Sequence, residues 1–313
     1  MDMFAVWYFI ESTVNGALIG LMYALVALGF VLIYKSTDAI NFAQGQFVMI
    51  SGMFVAALAG DYGVPIWLAI IIALVMMTLF NIVLERVVLR PMIGRPVVAI
   101  IMATIGLAAF LEGFFPMMFG SATRSLDLGI PNDPIELFGG NVFLTPINVV
   151  GGAVAVAFFG AFTVFFMKSR KGVALRAVAD NHTVSMAMGI NVERYFVLAW
   201  SMAGVVAVLG GLLWGSAIGV DNSLAVVGLK VFPVVILGGL ESITGCIVGG
   251  IIVGIIEAWG GTYIDPAMTQ PWFREFFPFE GGGTKDFLPY LLMIVVLFFR
   301  PYGLFGKVVI ERV

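Results

Sequence analysis

The chain has 313 residues, of which 61% are hydrophobic and 11% are charged, and its formal net charge is -3 at pH 7. Because about a quarter of the residues of an ordinary soluble domain are charged, this composition excludes a soluble globular protein and predicts a membrane protein. The small net charge gives no reason to expect nucleic acid as a partner. The single cysteine, Cys246, excludes an internal disulfide and a multi-cysteine metal site.

Uncharged segments long enough to cross a bilayer, which takes about 20 residues, follow one another along the chain. Five of them contain no Asp, Glu, Lys or Arg: 12–34, 39–60, 62–84, 137–167 and 195–220. A sixth segment, 97–123, is interrupted only by Glu112, and the shorter 287–299 is a further candidate. A secretory signal peptide begins with basic residues, and residues 1–11 have none, so we expect the first span to be retained.

The basic loops orient the chain, since Arg and Lys in short loops stay on the cytoplasmic side. Basic residues concentrate in 85–95, 168–194 and 300–312, whereas 121–146 and 257–286 are acidic. We therefore expect the first three regions in the cytoplasm and the other two outside. Counting crossings then places the N-terminus outside and the C-terminus in the cytoplasm.

The same count requires residues 231–256 to enter the membrane and return. The sequence Leu-Gly-Gly-Leu-Glu-Ser at 237–242 divides this region into two short apolar halves. Non-helical backbone at membrane depth is tolerated only inside protein or beside a watery cavity, so the break is a candidate for the solute pathway. The predicted fold is all-α and polytopic, with about 7–9 crossings and a broken or re-entrant helix pair near 231–256.

Small residues recur at intervals of four, as at Gly16 and Gly20 and at Gly250 and Gly254. In lipid this spacing lets helix backbones approach closely, because van der Waals packing replaces the missing hydrophobic drive. Tight helix packing is the simplest interpretation, and sliding of helices along these faces is a possible addition.

The longest predicted cytoplasmic connection is 168–194. Residues 172–179 favour a short helix, 180–183 a turn that ends in an N-cap, and a second short helix closes at Gly189. Two short helices outside the membrane would form a compact docking element. A solvated basic loop that only obeys the positive-inside rule is the alternative.

Six motifs in order carry a resemblance to a known family. The segment Ile-Asn-Phe-Ala-Gln-Gly-Gln at 40–46 resembles the opening signature of the LivH-type branched-chain amino acid permeases of ABC importers. Further similar segments span nearly the whole chain: 90–96, 103–107, 176–179 leading to 189–194, 237–250 and 299–306.

The resemblance implies one transmembrane permease domain over 1–313 in the bacterial inner (plasma) membrane. The expected partners are two cytoplasmic ATPases, an external solute-binding protein and a second, related permease, so that a heterodimer forms. The expected solutes are branched-chain amino acids or a related small solute such as urea or a short amide. The sequence has no Gly-x-x-x-x-Gly-Lys-Ser/Thr loop, so hydrolysis of ATP is expected on the partners.

Two other classes of protein share parts of this pattern. A secondary transporter driven by an ion gradient also uses broken helices and intramembrane carboxylates. An enzyme would need a nucleophile and a base at usable spacing, and the one His and the one Cys do not provide them, so we expect no enzymatic activity, cofactor or metal.

By resemblance, 171–189 is the segment that couples to the ATPases. Its candidate contact residues are Lys171, Arg176, Asp180, His182, Met186 and Gly189. The arginine, aspartate and histidine offer polar contacts, whereas Met186 and Met188 offer adaptable apolar ones. An interface role for His182 is preferred over a role in sensing pH.

The candidate residues of the solute pathway are Asn41, Gln44, Gln46, Glu112 and Glu241. The three amides either line the inner mouth of the pathway or bridge helices. An ionisable group within a span, such as Glu112, is a functional candidate by default, but it could also pair with Lys230, lie near the outer interface or be protonated. Glu241 could receive the amino group of a solute or cap the second half-helix.

Overall fold

The computed structural model describes residues 3–92, 95–271, 273 and 282–306. Most of these residues are helical, and we number the helices in chain order. They are α1 (Met3–Thr37), α2 (Gln44–Ala56), α3 (Ile66–Leu84), α4 (Val97–Phe119), α5 (Pro146–Lys168), α6 (Arg170–Asp180), α7 (His182–Ala187), α8 (Val192–Ile218), α9 (Val226–Gly238), α10 (Ile243–Trp259), α11 (Asp265–Met268) and α12 (Thr284–Phe299). The π-helical turns Ala57–Asp61, Glu85–Leu89 and Gly260–Ile264 extend α2, α3 and α10, and short 3-10 turns occupy Arg90–Met92 and Asn222–Ala225.

Six helical stretches in the described residues are long and apolar enough to cross a membrane. They are Met3–Thr37, Ile66–Met92, Val97–Phe119, Pro146–Lys168, Val192–Ile218 and Ile243–Met268, and Asn222–Gly238 is a shorter apolar stretch. The predicted all-α polytopic fold is confirmed.

Two predicted spans begin later than their apolar composition suggested. In the predicted span 39–60 the helix starts only at Gln44, because Asn41 Oδ1 accepts a hydrogen bond from Ala43 N (3.1 Å) and holds a turn there. In 137–167 the helix starts at Pro146, whose missing N–H suits the first helical turn. The residues before it form an antiparallel hairpin of β1 (Ile135–Leu137) and β2 (Val142–Leu144).

The predicted break in 231–256 is present between α9 and α10. The chain leaves α9 at Gly239, whose φ of 100° is a left-handed conformation that favours glycine. The Ser242 hydroxyl then accepts from Gly245 N (2.9 Å) and caps α10. Together with its π-helical turn and α11, α10 forms the stretch Ile243–Met268, which is long enough to span a membrane. The second half of the broken pair is therefore longer than the sequence predicted.

The described chain contains two compact units. Unit 1 comprises Met1–Ala24, Gly129–Ala155 and Lys230–Val313. In it α1 packs against α10 through the small residues predicted for this purpose: a β-carbon placed on Gly16 would lie 2.8 Å from Ala258 Cβ, too close for a real contact. The indole N–H of Trp259 adds a hydrogen bond to Thr13 Oγ1 (3.0 Å).

Unit 2 comprises Leu25–Leu128 and Val156–Leu229. Its centre is α2, of which every residue except Phe54 is buried, and α8 lies alongside it. The Ser51 hydroxyl of α2 donates to the Ala207 carbonyl of α8 (2.7 Å). Phe47 and Trp200 meet edge to face with ring centroids 6.1 Å apart and fill the space between the two helices.

Candidate functional site

The predicted coupling segment folds as two short helices. Ser169 Oγ accepts from Gly172 N (2.8 Å) and caps α6, and Asn181 Oδ1 accepts from Val184 N (2.9 Å) and caps α7. The segment ends at Gly189, whose φ is 80°. The two predicted helices are confirmed. The predicted turn 180–183 is wrong in its extent, because only Asn181 separates α6 from α7, and α7 ends at Ala187, two residues before Gly189.

The solvent-exposed surface of α6 and α7 carries apolar side chains next to charged ones. Met186 and Met188 are 57% and 77% exposed, while Lys171 and Asp180 are also exposed. Arg176 is partly buried, and its guanidinium lies 5.7 Å from the centre of the Phe166 ring. Most of the predicted contact residues are therefore accessible to a partner.

His182 differs from the other predicted contact residues because it points inward. Its ring meets that of Phe196 edge to face, with centroids 5.4 Å apart. His182 Nε2 is buried and has no hydrogen-bond partner among the described residues.

The structure separates the three amides that were expected at one inner mouth. Asn41 and Gln44 are fully buried and Gln46 nearly so. Gln44 and Gln46 are two residues apart on α2 and therefore point to different sides of the helix. The Gln44 amide fills the space beside Gly29 of α1, and Gln46 Nε2 donates to Glu112 Oε2 (3.4 Å).

These amides leave an unusual number of polar atoms unpaired. Asn41 Nδ2, Gln46 Oε1 and both amide atoms of Gln44 are buried without a hydrogen-bond partner in the described part of the chain. A buried polar group without a partner costs about 1–3 kcal/mol, so water or a polar solute is expected beside such atoms. Helix bridging, the alternative interpretation from sequence, holds for Gln46 alone of these three.

Glu112 lies on the exposed side of α4, between Phe110 and Phe114, which are 60% and 37% exposed. Its Oε2 accepts the hydrogen bond from Gln46 Nε2. Lys230, which the sequence offered as its ion-pair partner, is bound to Glu257 (3.1 Å) and Asp286 (2.7 Å) in unit 1.

Two contacts with α4 show how deep the start of α2 lies. Phe42 N donates to Thr104 Oγ1 (3.3 Å), and Gln46 meets Glu112. At 1.5 Å per residue, Thr104 and Glu112 are about 10 Å and about 22 Å along α4 from its first residue, Val97. The non-helical residues 38–43 therefore lie within the depth of a membrane-spanning helix.

A cavity of about 140 Å³ lies against this non-helical segment in unit 2, and we call it the inner cavity. The ends of α1 and α3, the start of α4, and side chains of α7 and α8 enclose it. Its polar or aromatic lining includes Asn41, Glu85, Arg90, Arg95, His182 and Trp200. Asn41 and His182 were predicted to serve the pathway and the coupling segment, respectively, and here they share one cavity.

Glu85 and Trp200 were not among the site residues expected from the sequence. Glu85 is 1% exposed and accepts from Arg90 (3.1 Å), which also pairs with Glu193 of α8 (3.0 Å). The sequence does contain a signal for the pair of Glu85 with Arg90. Glu85 directly follows an uncharged span, and Arg90 comes five residues later. Trp200 had no signal, because a tryptophan within an apolar span is ordinary.

Glu241 lies at the break between α9 and α10 and is partly buried. The N-cap residue of α10 is Ser242, and Glu241 directly precedes it. Among the described residues no group of three His, Cys, Asp or Glu side chains could hold a metal ion.

The sequence matches the profile of a family described as "Branched-chain amino acid transport system / permease component" over residues 12–297. It is 30% identical to the high-affinity branched-chain amino acid transport system permease protein LivH of Escherichia coli K12, over 98% of each chain. The corresponding permease protein BraD of Pseudomonas aeruginosa is 27% identical over 98% of this chain and 99% of its own.

A probable branched-chain amino acid transport permease protein LivH of Methanocaldococcus jannaschii is 28% identical, over 90% of this chain and 88% of its own. The matches run almost end to end, so they cover α2, the coupling segment and the broken pair alike. This chain belongs to the family of branched-chain amino acid transport system permease components.

Proposed function

We propose that this protein is the membrane-spanning permease subunit of an ABC importer that carries branched-chain amino acids across a bacterial plasma membrane. The observation that carries the proposal is the family match over 12–297 together with end-to-end similarity to permeases named for this transport. The names of the relatives favour branched-chain amino acids over urea or short amides as the solute.

The proposed orientation has the N-terminus outside and the C-terminus in the cytoplasm. It rests on the positive-inside rule. The arginines that follow α3 and the basic α6 are assigned to the cytoplasmic side, and the acidic regions 121–146 and 257–286 to the outside. In this orientation Lys230, Glu257 and Asp286 lie toward the external side of the membrane.

The ATPase partners would bind the exposed surface of α6 and α7 on the cytoplasmic side. Exposed methionines beside charged side chains suit an adaptable protein interface, whereas a merely solvated loop has no need of exposed apolar residues. The Asn181 cap and the left-handed conformation of Gly189 define the two ends of α7. In the proposed function α7 therefore moves as a rigid body and transmits the motion of the ATPases to the membrane helices.

A second permease would cover the exposed face of α4, and the solute would pass along this face. Glu112 lies about 22 Å from the start of α4, inside the depth of the hydrocarbon layer. A carboxylate facing lipid there costs about 3 kcal/mol or more. The free energy is lower if this face lines a hydrated path between two permeases, where Glu112 can attract the ammonium group of an amino acid.

An external binding protein would deliver the solute, and a related but distinct permease would complete a heterodimer.

The test is uptake of radiolabelled leucine, isoleucine and valine by cells that co-express this chain with its candidate partners. We expect the three amino acids to compete with one another and urea to have no effect. Uptake that an ionophore abolishes while ATP remains high would contradict the proposal and favour a transporter driven by an ion gradient.

A further inference from the structure

An open cleft lies beside the start of α8 in unit 2, and we call it the interfacial cleft. Its volume is about 600 Å³, within the range of about 300–1,000 Å³ that is usual for small-molecule sites. Lys171 of α6 forms one wall, and residues between Gly189 and Leu198 form the other. It shares no lining residue with the inner cavity, so the two are separate.

The charged side chains that line the interfacial cleft are both basic. Lys171 and Arg194 are exposed, and neither forms an ion pair with the residues that the structure describes. Glu193, the acidic neighbour of Arg194, does not line the cleft and pairs with Arg90 (3.0 Å). The described lining thus carries two positive charges and no negative one, and it attracts an anion.

The interfacial cleft begins at the depth of the lipid headgroups. The membrane-spanning helix α8 has 27 residues, which make it about 40 Å long at about 1.5 Å per residue. This length matches a bilayer with its headgroup layers, about 40–45 Å, and exceeds the hydrocarbon core of about 30 Å. Arg194, in the first turn of α8, therefore lies among headgroups. Lys171 closely follows Lys168, the last residue of the membrane-spanning helix α5, and belongs to the same layer.

The polarity of the cleft changes along α8 as a phospholipid changes from headgroup to acyl chain. Asn191 and Arg194 lie about one helical turn before Tyr195 and Leu198, so the four side chains share one face. The amide and the guanidinium come first, the phenol ring follows, and the leucine lies deepest in the membrane. Tyrosine is enriched at headgroup level because its ring is amphipathic. The cleft thus offers charge to a phosphate and apolar surface to an acyl chain.

The two walls of the cleft are held together by an apolar cluster. Val178 of α6 packs against Val192 and Phe196 of α8, and all three are buried. Ile190 and Tyr195 pack beside them. The basic groups therefore project from helices that are packed together, and a ligand does not have to order the walls before it binds.

We propose that the interfacial cleft binds an anionic phospholipid of the surrounding membrane, with the phosphate between Lys171 and Arg194 and an acyl chain along Leu198. A free phosphate ion would leave Tyr195 and Leu198 without a role, and a soluble protein partner does not reach the acyl level of α8. Lys171, a candidate ATPase contact by resemblance, is thereby assigned to the lipid. The ATPase surface is then α7 and the rest of α6.

Binding is measured on the purified permease in detergent by native mass spectrometry, which resolves individual bound lipids. The probes are phosphatidylglycerol, phosphatidylcholine with the same acyl chains, and inorganic phosphate. We expect the tightest phosphatidylglycerol to bind at least fivefold more strongly than phosphatidylcholine, and a hundredfold excess of inorganic phosphate not to displace it. Equal affinity for the two lipids would overturn the proposal. Displacement by inorganic phosphate would also overturn it, because the site would then recognise a free anion.

Variants that remove one charge locate the site. Lys171→Gln and Arg194→Gln should each weaken phosphatidylglycerol binding about fivefold, which corresponds to about 1 kcal/mol per basic residue near an anionic membrane surface. Arg194→Lys keeps the charge and should stay within twofold of wild type. The matched control is Arg170→Gln, which removes an exposed charge next to Lys171 that does not line the cleft. An equal loss in Arg170→Gln would mean diffuse attraction and would overturn the site.

The melting temperature without lipid shows whether each variant folds. With phosphatidylglycerol, wild type and Arg170→Gln should melt at a higher temperature, whereas Arg194→Gln should not change. The lipid count is then repeated on the importer assembled with its ATPases, where we expect the bound lipid to remain. Its loss on assembly would show that the cleft is an ATPase surface and would overturn the lipid assignment. None of these outcomes depends on transport, so the proposed function is tested separately by uptake.

Discussion

Lys230 Nζ of α9 lies 2.7 Å from Asp286 Oδ1 of α12 and 3.1 Å from Glu257 Oε1 of α10, so one ammonium group ties three helices of unit 1 together. Glu257 is the more buried of the two carboxylates, with 14% of its side chain exposed against 55% for Asp286. The pair with Glu257 therefore contributes more to stability, because an exposed pair is screened by solvent.

Replacing Lys230 with Met should lower the free energy of unfolding by about 2 kcal/mol. The figure is below the usual cost of breaking a fully buried pair, because Lys230 is partly exposed. The measurement is the melting temperature in detergent. Lys285→Met, which removes an exposed lysine next to Asp286, is the matched control and should melt like wild type; an equal loss in both variants would refute the role of the ion pairs.

The contact of α1 with α10 leads to a second prediction. Gly20 and Gly250 face each other, and a β-carbon on either one would overlap the carbonyl oxygen of the other. We expect Gly250→Val to force the helices apart and to cost about 2 kcal/mol or more. In contrast, Gly160 of α5 has open space around it, so Gly160→Ala should be neutral or slightly stabilising in the same melting assay.

Comparable melting temperatures for Gly250→Val and Gly160→Ala would show that α1 and α10 do not need this close approach.

The end of the coupling segment offers a third prediction. Gly189 has a φ of 80° and nothing within 4 Å of a β-carbon placed on it, so only its backbone conformation restricts the residue. A β-branched side chain is strained there, whereas asparagine tolerates the left-handed region. Gly189→Val should therefore distort the end of α7 and lose most of the ATPase activity that solute stimulates.

Gly189→Asn is the control for this prediction, and we expect it to keep at least half of the stimulated ATPase activity. Normal stimulation in the assembled Gly189→Val importer would be incompatible with a coupling role for this segment.

A fourth prediction concerns Glu112. If its carboxylate attracts the ammonium group of the solute on the exposed face of α4, Glu112→Gln should lower the uptake rate at least tenfold. Glutamine is nearly isosteric and can still bond Gln46, so expression and melting temperature should not change. Wild-type uptake in Glu112→Gln would show that the charge serves no step of transport.

A fifth prediction follows from Asp221, which joins the ends of α4 and α8. Its Oδ2 accepts from Thr123 Oγ1 (2.6 Å) and its Oδ1 from Ser223 N (2.8 Å). The hydrogen bonds from Ser223 and then Thr123 lower the pKa of Asp221 below its ordinary value. A lowered native pKa contributes stability that is fully present above about pH 4, the pKa of an unfolded aspartate, and is lost as the pH falls through the native pKa.

Asp221→Asn should therefore melt below wild type at pH 7, and the gap should close as the pH is lowered below about 4. A gap that does not depend on pH would mean that the contacts of Asp221 act without its charge.

The spans and the coupling helices were predictable because their signals are local. Hydropathy alone marks most of the long helices, and each of α6 and α7 is bounded by residues close to it in the sequence, the caps Ser169 and Asn181 and the terminal Gly189. The start of α2 was not predictable in the same way. Residues 39–43 are about as apolar as the helix that follows, and the turn at Asn41 becomes visible only through its hydrogen bonds.

The candidate site depended more strongly on contacts between distant residues. Asn41 and His182 are far apart in the sequence, and only the packing of α1, α7 and α8 brings them to one cavity. The ion-pair partner of Lys230 could not be deduced from the sequence either. Glu112, Glu257 and Asp286 each offer one carboxylate, and none of them is a near neighbour of Lys230 in the sequence. The three-dimensional structure selects Glu257 and Asp286.

In the proposed function, separate ATPases drive transport along a solute path that this chain helps to enclose. Its most direct test is uptake of radiolabelled leucine into proteoliposomes that contain the permease pair with or without the partner ATPases, in the presence of the external binding protein. We expect uptake only when the ATPases and ATP are both present. Uptake at the same rate from permeases alone, without ATPase or ATP, would contradict the account.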